Sequence, residues 1–196
     1  MTDKADLRRR MLTAREAVSP FEASQSIGDL AEWMYALPVE LSEGDTVAAY
    51  VATRREPGGT PLLDALADQG LRVLLPIVPE GDPQRLQWGV YEGERDLDEG
   101  RWNLLEPQGR RLDPDTLSEA KLILVPAVAV DRRGARLGRG AGYYDRTLAS
   151  VSAPIVAVVH DAEVIEEVPE DPTDVRVQWI LTPGTGFTAA ADPSAP

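Results

Sequence analysis

The chain has 196 residues, no cysteine, and 20 basic against 33 acidic side chains, which give a formal net charge of −13. This acidity argues against nucleic acid or an anionic membrane surface as a partner, because both attract basic proteins. The lack of cysteine excludes disulfides, thiolate metal sites and cysteine nucleophiles, while a hydrophobic content of 43% suits one domain with a sizeable core.

Two helical patterns open the chain. Apolar residues recur at helical spacing over Asp3–Val18, which predicts an amphipathic helix, and Ser19-Pro20 ends it. The pattern resumes over about Phe21–Ala36 and stops before Pro38, since proline cannot continue a helix. We therefore expect two successive helices, each with one apolar face.

Strand patterns dominate the rest of the chain. Thr46–Ala52 is the first predicted strand, Pro61–Gln69 is a predicted helix closed by Gly70, and Leu71–Val78 is the second strand. Four further short apolar segments are predicted strands: Leu86–Tyr91, Leu122–Val130, Pro154–Val159 and Val177–Leu181. Uninterrupted apolar strands are typical of a sheet covered on both faces by helices. The sequence thus predicts a Rossmann-like α/β fold, a three-layer sandwich with a mainly parallel sheet.

The domain boundary is set by composition. Residues 1–183 contain no repeat and no linker, and we expect them to form one domain. Residues 184–196 are mostly small and polar, and we expect a disordered tail. The single histidine, His160, ends an apolar strand and has no companion ligand, so we interpret it as structural.

A loop of alternating glycines and arginines follows the strand that begins near Lys121. It concentrates positive charge in an acidic chain, with Arg132, Arg133, Arg136, Arg139 and Arg146 around Gly138, Gly140 and Gly142. Glycines let backbone N–H groups face an anion, and a following helix would add the positive end of its dipole, so the pattern predicts a phosphate site. A flexible loop with solvated arginines is the alternative, and we expect the first two arginines to be solvated.

Two common nucleotide-binding patterns are missing. The chain has no G-x-x-x-x-G-K-[ST], which disfavours a P-loop nucleotidase. The spacing Gly138-x-Gly140-x-Gly142 lacks the full G-x-G-x-x-G and lies well after the strand, which disfavours a dinucleotide oxidoreductase.

The segment VPAVAVDRRGARLGRGAGYYDRTL resembles the signature of the 5-formyltetrahydrofolate cyclo-ligase family, also called 5,10-methenyltetrahydrofolate synthetases. Similar segments extend the resemblance to about Pro183: Lys4–Arg8, Ala52–Glu56, Trp102–Pro107 and Pro172–Leu181. The resemblance implies an ATP- and Mg²⁺-dependent enzyme that cyclises 5-formyltetrahydrofolate to 5,10-methenyltetrahydrofolate. In that chemistry ATP phosphorylates the formyl oxygen, N10 attacks the activated carbon, and phosphate leaves. A folate- or nucleotide-binding regulatory protein of the same fold, without turnover, is the alternative.

The resemblance also implies roles for individual residues. ATP contacts are expected from Lys4, Arg8, Arg136, Leu137, Gly138, Arg139, Gly140, Ala141, Gly142, Tyr143, Tyr144 and Arg146. Catalytic roles are expected for Arg136, Arg139 and Tyr143, and folate contacts for Glu56, Trp102, Tyr143 and Tyr144. Asp145 and Asp174 are the expected Mg²⁺ ligands. From the residues alone, Asp145 is equally suited to capping a helix, Asp174 to a solvated turn, and Lys4 with Arg8 to a solvated helix face.

The expected partners are small molecules. They are ATP and 5-formyltetrahydrofolate, with or without further glutamates on its tail, and we expect a monomer that binds neither nucleic acid nor membrane. Ala141 stands where the family often has lysine, and Arg54-Arg55 replace a more acidic stretch, which could change the preference for the glutamate tail. The first fifteen residues lack the apolar core of a signal peptide, and we therefore expect a cytoplasmic location.

Overall fold

The computed structural model describes residues 3–53 and 55–191. The helices in these ranges are α1 (Lys4–Glu16), α2 (Pro20–Trp33), α3 (Thr60–Ala67) and α4 (Tyr143–Leu148). The strands are β1 (Thr46–Ala48), β2 (Arg72–Ile77), β3 (Gln87–Val90), β4 (Leu97–Glu99), β5 (Leu105–Pro107), β6 (Ala120–Pro126), β7 (Ala129–Asp131), β8 (Arg136–Leu137), β9 (Ile155–Val158), β10 (Val164–Ile165), β11 (Trp179–Thr182) and β12 (Gly186–Ala189).

A sheet of seven strands forms the centre of the molecule, in the order β12-β11-β9-β6-β1-β2-β3. The five inner strands pair in parallel, while β3 and β12 pair antiparallel at the two edges. Alternate residues of β6 enter two hydrophobic clusters: Leu122 and Leu124 pack with α2 and α3 residues, whereas Ile123 and Val125 pack with Trp88 and α4 residues. The predicted α/β fold, with a mainly parallel sheet covered on both faces, is confirmed.

The predicted strand Leu122–Val130 is divided in the structure. The sheet strand β6 ends at Pro126, and β7 belongs to a separate three-stranded sheet with β8 and β10. The strand ends here because the next backbone groups form hydrogen bonds outside the central sheet. Ala127 O accepts from Arg15 of α1, and Val128 N donates to Leu137 O in β8. The chain therefore leaves the central sheet at the proline and turns toward α1.

The predicted disorder of residues 184–196 is wrong over β12. Gly186–Ala189 pair antiparallel with β11, where they cover an otherwise unpaired sheet edge. Phe187 packs against the main hydrophobic cluster, and Gly186, at φ +69°, lies so close to the Trp33 ring that a Cβ there would come within 2.7 Å of it. Residues 192–196 of the predicted tail lie outside the described residues.

Successive strands are added to the sheet in opposite directions on the two sides of the β1–β6 pair. From β1 the chain proceeds to β2 and β3 on one side, and from β6 to β9 and β11 on the other. In an open parallel sheet the two loops that leave such a point diverge and open a crevice at the carboxyl ends of the strands. Within the described residues, no helix has both the length and the apolar character needed to span a bilayer.

Candidate active site

A pocket of about 940 Å³ opens at this crevice. Its floor comes from the carboxyl ends of three strands, with residues 50–53 after β1, Pro76 and Val78 at the end of β2, and Pro126 and Ala127 at the end of β6. Residues 102–106 and 138–145 form its walls. Most of the residues predicted to bind ATP or folate therefore meet in one cavity. The exceptions are Lys4, Arg8, Leu137 and Arg146, and the predicted magnesium ligand Asp174 does not line the pocket either.

The glycine loop needs its glycines for two different reasons. Gly140 and Gly142 have φ values of +100° and +71°, which favour glycine. A Cβ on Gly140 would also approach the Arg8 guanidinium to 3.2 Å, and one on Gly142 would approach Arg146 to 2.5 Å. The helix that follows, α4, has only six residues, so positive charge at this loop comes from arginines more than from a helix dipole.

Arg136 forms the deeper of two ion pairs in the pocket. Its side chain is 2% exposed, and its Nη2 donates to Asp145 Oδ1 at 2.7 Å. Its Nε is buried and finds no hydrogen-bond acceptor among the described residues. An unmet buried donor on a charged group is unfavourable, so this pocket-lining arginine is suited to receive an anion.

Glu56 and Arg139 form the second ion pair. Arg139 Nε donates to Glu56 Oε1 at 2.8 Å, while Glu56 Oε2 accepts from Thr53 N at 2.8 Å and Thr53 Oγ1 at 2.7 Å. The Glu56 side chain is 5% exposed and that of Arg139 is 49% exposed. Residues predicted to bind different substrates are thus bonded to each other, and a ligand that approaches Glu56 Oε1 competes with Arg139 for it.

Aromatic side chains flank the two ion pairs. Tyr143 is buried, Trp102 is 58% exposed at the pocket mouth, and their ring centroids lie 5.9 Å apart in an edge-on arrangement. Burial, followed by the negative charge of Glu56, raises the pKa of the Tyr144 hydroxyl far above its usual range, although Arg136 opposes the shift. Tyr144 is therefore protonated at neutral pH and is suited to donate a hydrogen bond.

The other predicted metal ligand, Asp174, lies in a different ion pair. Its Oδ2 accepts from Lys4 Nζ at 2.5 Å and from Asp171 N at 2.7 Å. Burial by itself would lower the pKa of Lys4, but the carboxylates of Asp171 and Asp174 outweigh it and raise that pKa. The two predicted metal ligands, Asp145 and Asp174, therefore pair with different cations. No three acidic or histidine side chains cluster into an ion site anywhere in residues 3–53 or 55–191.

Three arginines outside the pocket have structural partners. Arg8 Nε donates to Gly138 O at 2.8 Å, which ties α1 to the glycine loop. Arg133, expected to be solvated, instead donates to the buried carboxylate of Asp131 at 2.8 Å. Arg55 Nη1 donates to the carbonyls of Glu16 and Val18 at the end of α1.

Three residues outside the predicted site support the pocket. Thr53 holds Glu56, and the buried Glu106 accepts from Val78 N at 2.8 Å and braces the end of β2. Arg101 donates to the Tyr143 hydroxyl at 3.2 Å. The contacts of Glu106 and Arg101 join segments that only the folded topology brings together, whereas the Thr53–Glu56 contact follows the local T-x-x-E spacing typical of a capping box.

Comparisons with known proteins agree on one family. The model of the 5-formyltetrahydrofolate cyclo-ligase family matches residues 1–183. A 5-formyltetrahydrofolate cyclo-ligase from Mycolicibacterium smegmatis is 44% identical over 191 residues, covering 95% of this chain and 96% of the relative. The enzyme of that name from Escherichia coli K12 is 31% identical over 174 residues, covering 86% and 94%. The NMR structure of Aquifex aeolicus 5,10-methenyltetrahydrofolate synthetase matches with a TM-score of 0.80 at 29% identity, covering 98% and 95%.

Proposed function

The chain belongs to the 5-formyltetrahydrofolate cyclo-ligase family and is an ATP-dependent ligase, and we propose that it converts 5-formyltetrahydrofolate to 5,10-methenyltetrahydrofolate in the pocket at the β1/β6 reversal. In the proposed reaction the formyl oxygen attacks the γ-phosphorus and ADP leaves. N10 then attacks the formyl carbon, the N10 proton is released, and the oxygen departs with the phosphoryl group as inorganic phosphate. The observation that carries the proposal is the convergence of two arginine–carboxylate pairs and the glycine loop on one pocket.

The first step needs alignment and charge neutralisation. A formamide oxygen is a weak nucleophile, so it must be held in line with the γ-phosphorus while charge spreads over the phosphoryl oxygens. We assign the backbone amides of residues 138–142 and the guanidinium of Arg136 to those oxygens, since the buried Nε of Arg136 is a free donor within the described residues. Loss of one preorganised contact of this kind costs about 2 to 4 kcal/mol of transition-state stabilisation.

Arg139 changes partners in this proposal. In the structure it neutralises Glu56, whose carboxylate matches the amino-amide edge of a pterin. A triphosphate offers Arg139 a stronger anion, and its half-exposed side chain is free to turn toward one. Glu56 Oε1 would then become available to the pterin, with Tyr143, Tyr144 and Trp102 as the aromatic walls.

The proposed magnesium ion fits one carboxylate of the pocket. Mg²⁺ commonly takes one or two carboxylates and completes its shell with phosphates and waters. Asp145 lies at the end of the glycine loop and engages Arg136 through Oδ1, which leaves Oδ2 without a protein partner among the described residues. A bound ion would supply neutralising charge for the phosphates. Asp174 already pairs with Lys4 through Oδ2, so a role of Asp174 at the ion, or of Lys4 at ATP, would compete with this pair.

The test is a paired assay on the purified protein. We expect 5-formyltetrahydrofolate with Mg-ATP to give the absorbance of the methenyl product and one phosphate per turnover, and neither signal when ATP is omitted. Running the assay with mono- and polyglutamylated substrate would test the expected tail preference. A regulatory protein would bind folate or ATP yet release no phosphate, and that result would reject the proposed activity.

A further inference from the structure

An unusual turn lies at the mouth of the pocket. Trp102 and Asn103 have φ values of +59° and +58°, and they are the non-glycine residues with positive φ in the described chain. Neither is glycine, and the left-handed region costs a typical L-residue on the order of 1 to 2 kcal/mol. Two in succession persist only where surrounding contacts hold them, so the residue that holds this turn has consequences for the pocket.

Two backbone hydrogen bonds close this turn, from Gly100 N to Leu104 O at 2.7 Å and from Leu104 N to Arg101 O at 3.2 Å, and the Arg101 side chain connects it to the rest of the pocket. Its Nη1 donates to Pro79 O at 2.8 Å, to Gly81 O at 3.1 Å and to the Tyr143 hydroxyl at 3.2 Å. Its guanidinium also lies 4.3 Å from the centroid of the Trp102 ring, within cation–π range. One side chain thereby joins the loop after β2, the strained turn, and the first residue of α4.

Two aromatic rings of the pocket, those of Trp102 and Tyr143, depend on this side chain. Among the described residues Arg101 donates to the Tyr143 hydroxyl, and its guanidinium stacks on the indole of Trp102, which remains 58% exposed. The rings of Trp102 and Tyr143 meet edge-on at 70°, so a displacement of either one changes the surface that the other presents.

We infer that Arg101 is a positioning residue for the cyclo-ligase reaction, an inference that rests on the proposed function. It fixes the Tyr143 phenol and the Trp102 indole as one rigid wall, and the folate ring system packs against that wall. Arg101 acts through these two residues and does not itself contact the reacting atoms. Preorganisation of this kind affects the rate because a shift of about 1 Å in a positioned group can cost about a hundredfold in turnover.

The experiment compares Arg101→Met, Tyr143→Phe and the double variant with the wild type, with Arg95→Met as the control. Arg95 is an exposed arginine of the same segment and does not line the pocket. We expect Arg101→Met to lower kcat about tenfold and raise the KM for folate, with the KM for ATP unchanged within about twofold. In the Tyr143→Phe background the same change should lower kcat by less than about threefold, because part of the effect passes through the lost hydroxyl.

Fluorescence quenching measures the solvent access of the Trp102 ring without requiring turnover. The Trp102 contribution is the difference between the wild type and Trp102→Phe, and we expect acrylamide to quench it more strongly in Arg101→Met. Unchanged quenching, or an equal fall of kcat in both backgrounds, would overturn the inference. A wild type that makes no methenyl product would overturn the proposed function instead, while the quenching result still decides the role of Arg101. If Arg101→Met fails to fold, Arg101→Lys keeps the charge, and we expect it to give an intermediate loss in both arms.

Discussion

Asp145 has two effects on the pocket because it neutralises the most deeply buried cation there. The Arg136 side chain is almost completely buried, and a buried charge is tolerated when it is paired. The Asp145 carboxylate also faces the pocket and is about one third exposed, so it is accessible to a ligand. Its removal therefore affects both the orientation of Arg136 and the proposed ion.

We predict that Asp145→Asn lowers kcat at least about a hundredfold with a loss of folding stability of about 1 to 2 kcal/mol. The amide keeps the shape but neither neutralises Arg136 nor attracts a cation, so raising Mg²⁺ should restore activity only in part. Steady-state kinetics at several Mg²⁺ concentrations and urea unfolding measure the two effects. Asp174→Asn is the comparison: it breaks the pair with Lys4, and we expect a smaller fall in kcat that Mg²⁺ does not reverse. A wild-type kcat in Asp145→Asn would remove that residue from the reaction.

Asp131 holds the turn that leads into the glycine loop. Its buried carboxylate accepts hydrogen bonds from the backbone of Arg133, Ala135 and Val168 and from the Arg133 side chain. Burial alone would raise its pKa, but these hydrogen bonds outweigh burial and lower the pKa below its usual range. Because the folded pKa is the lower one, the stability that Asp131 contributes is present above the unfolded pKa, about 3.9, and is lost as pH falls through the folded value.

We predict that Asp131→Asn costs about 2 to 3 kcal/mol of unfolding free energy at pH 7 and that this difference narrows below about pH 4. The neutral amide accepts fewer hydrogen bonds and carries no charge for Arg133, whereas at low pH the wild-type carboxyl is also neutral. Urea unfolding between pH 7 and pH 3 measures this difference in unfolding free energy between the wild type and Asp131→Asn. Asp82→Asn, at an exposed loop position, should show no comparable gap at any pH. A difference in unfolding free energy that stays constant with pH would contradict a stabilising role of the charged Asp131 carboxylate.

At the scale of elements, α1 is attached by polar contacts as well as by an apolar cluster that includes Leu7, Met11 and Leu12. Only Leu7 and Arg15 of this helix are buried. Arg15 forms a two-bond pair with Glu163, at 2.6 and 2.8 Å, and donates to Ala127 O in the pocket floor at 2.7 Å. With Lys4 on Asp174 and Arg8 on Gly138, these contacts hold the helix against the site.

We predict that Glu163→Gln destabilises the protein by about 3 to 5 kcal/mol, because it leaves the Arg15 charge buried without a counter-ion. Replacing both partners, Arg15→Met with Glu163→Met, should recover much of that loss, since two apolar side chains leave no charge to compensate. Urea unfolding compares these variants with Glu166→Gln, an exposed control on the same segment. If the double replacement is as unstable as the single one, the ion pair itself is required for folding.

Sequence reasoning succeeded where the signal is local. The glycines at residues 138–142 predicted a loop that leads into a helix, and the period of the helices and strands predicted the layers. It failed at Pro126, because an apolar run continues past the point where Arg15 draws the backbone away from the sheet. Contacts between Glu56 and Arg139, 83 residues apart, and between Arg15 and Glu163, 148 apart, depend on topology. Local patterns carry no information about such pairings.

At the scale of the whole molecule, the pocket of this acidic protein contains arginines whose charges are neutralised by neighbouring carboxylates. The net charge of −13 repels anionic substrates, yet the pocket holds Arg136 and Arg139, each already neutralised by a carboxylate. Binding is therefore an exchange of ion pairs more than an addition of charge. Because Arg139 belongs to the glycine loop and Glu56 to the loop after β1, the exchange connects the two halves of the sheet at the point where its order reverses.

From this exchange we predict positive coupling between nucleotide and folate. A saturating non-hydrolysable ATP analogue should tighten 5-formyltetrahydrofolate binding about tenfold, within the usual range of coupling free energies of about 1 to 3 kcal/mol. In Arg139→Ala, folate should bind more tightly than in the wild type without nucleotide, because Glu56 Oε1 is already free, and the analogue should add little. Titration calorimetry measures both affinities. Arg146→Ala is the control, since Arg146 contacts the carbonyls of Ala141 and Gly142 and not Glu56: it should weaken the analogue yet preserve the coupling. If the folate affinity of the wild type is the same with and without the analogue, Arg139 does not compete with the pterin for Glu56.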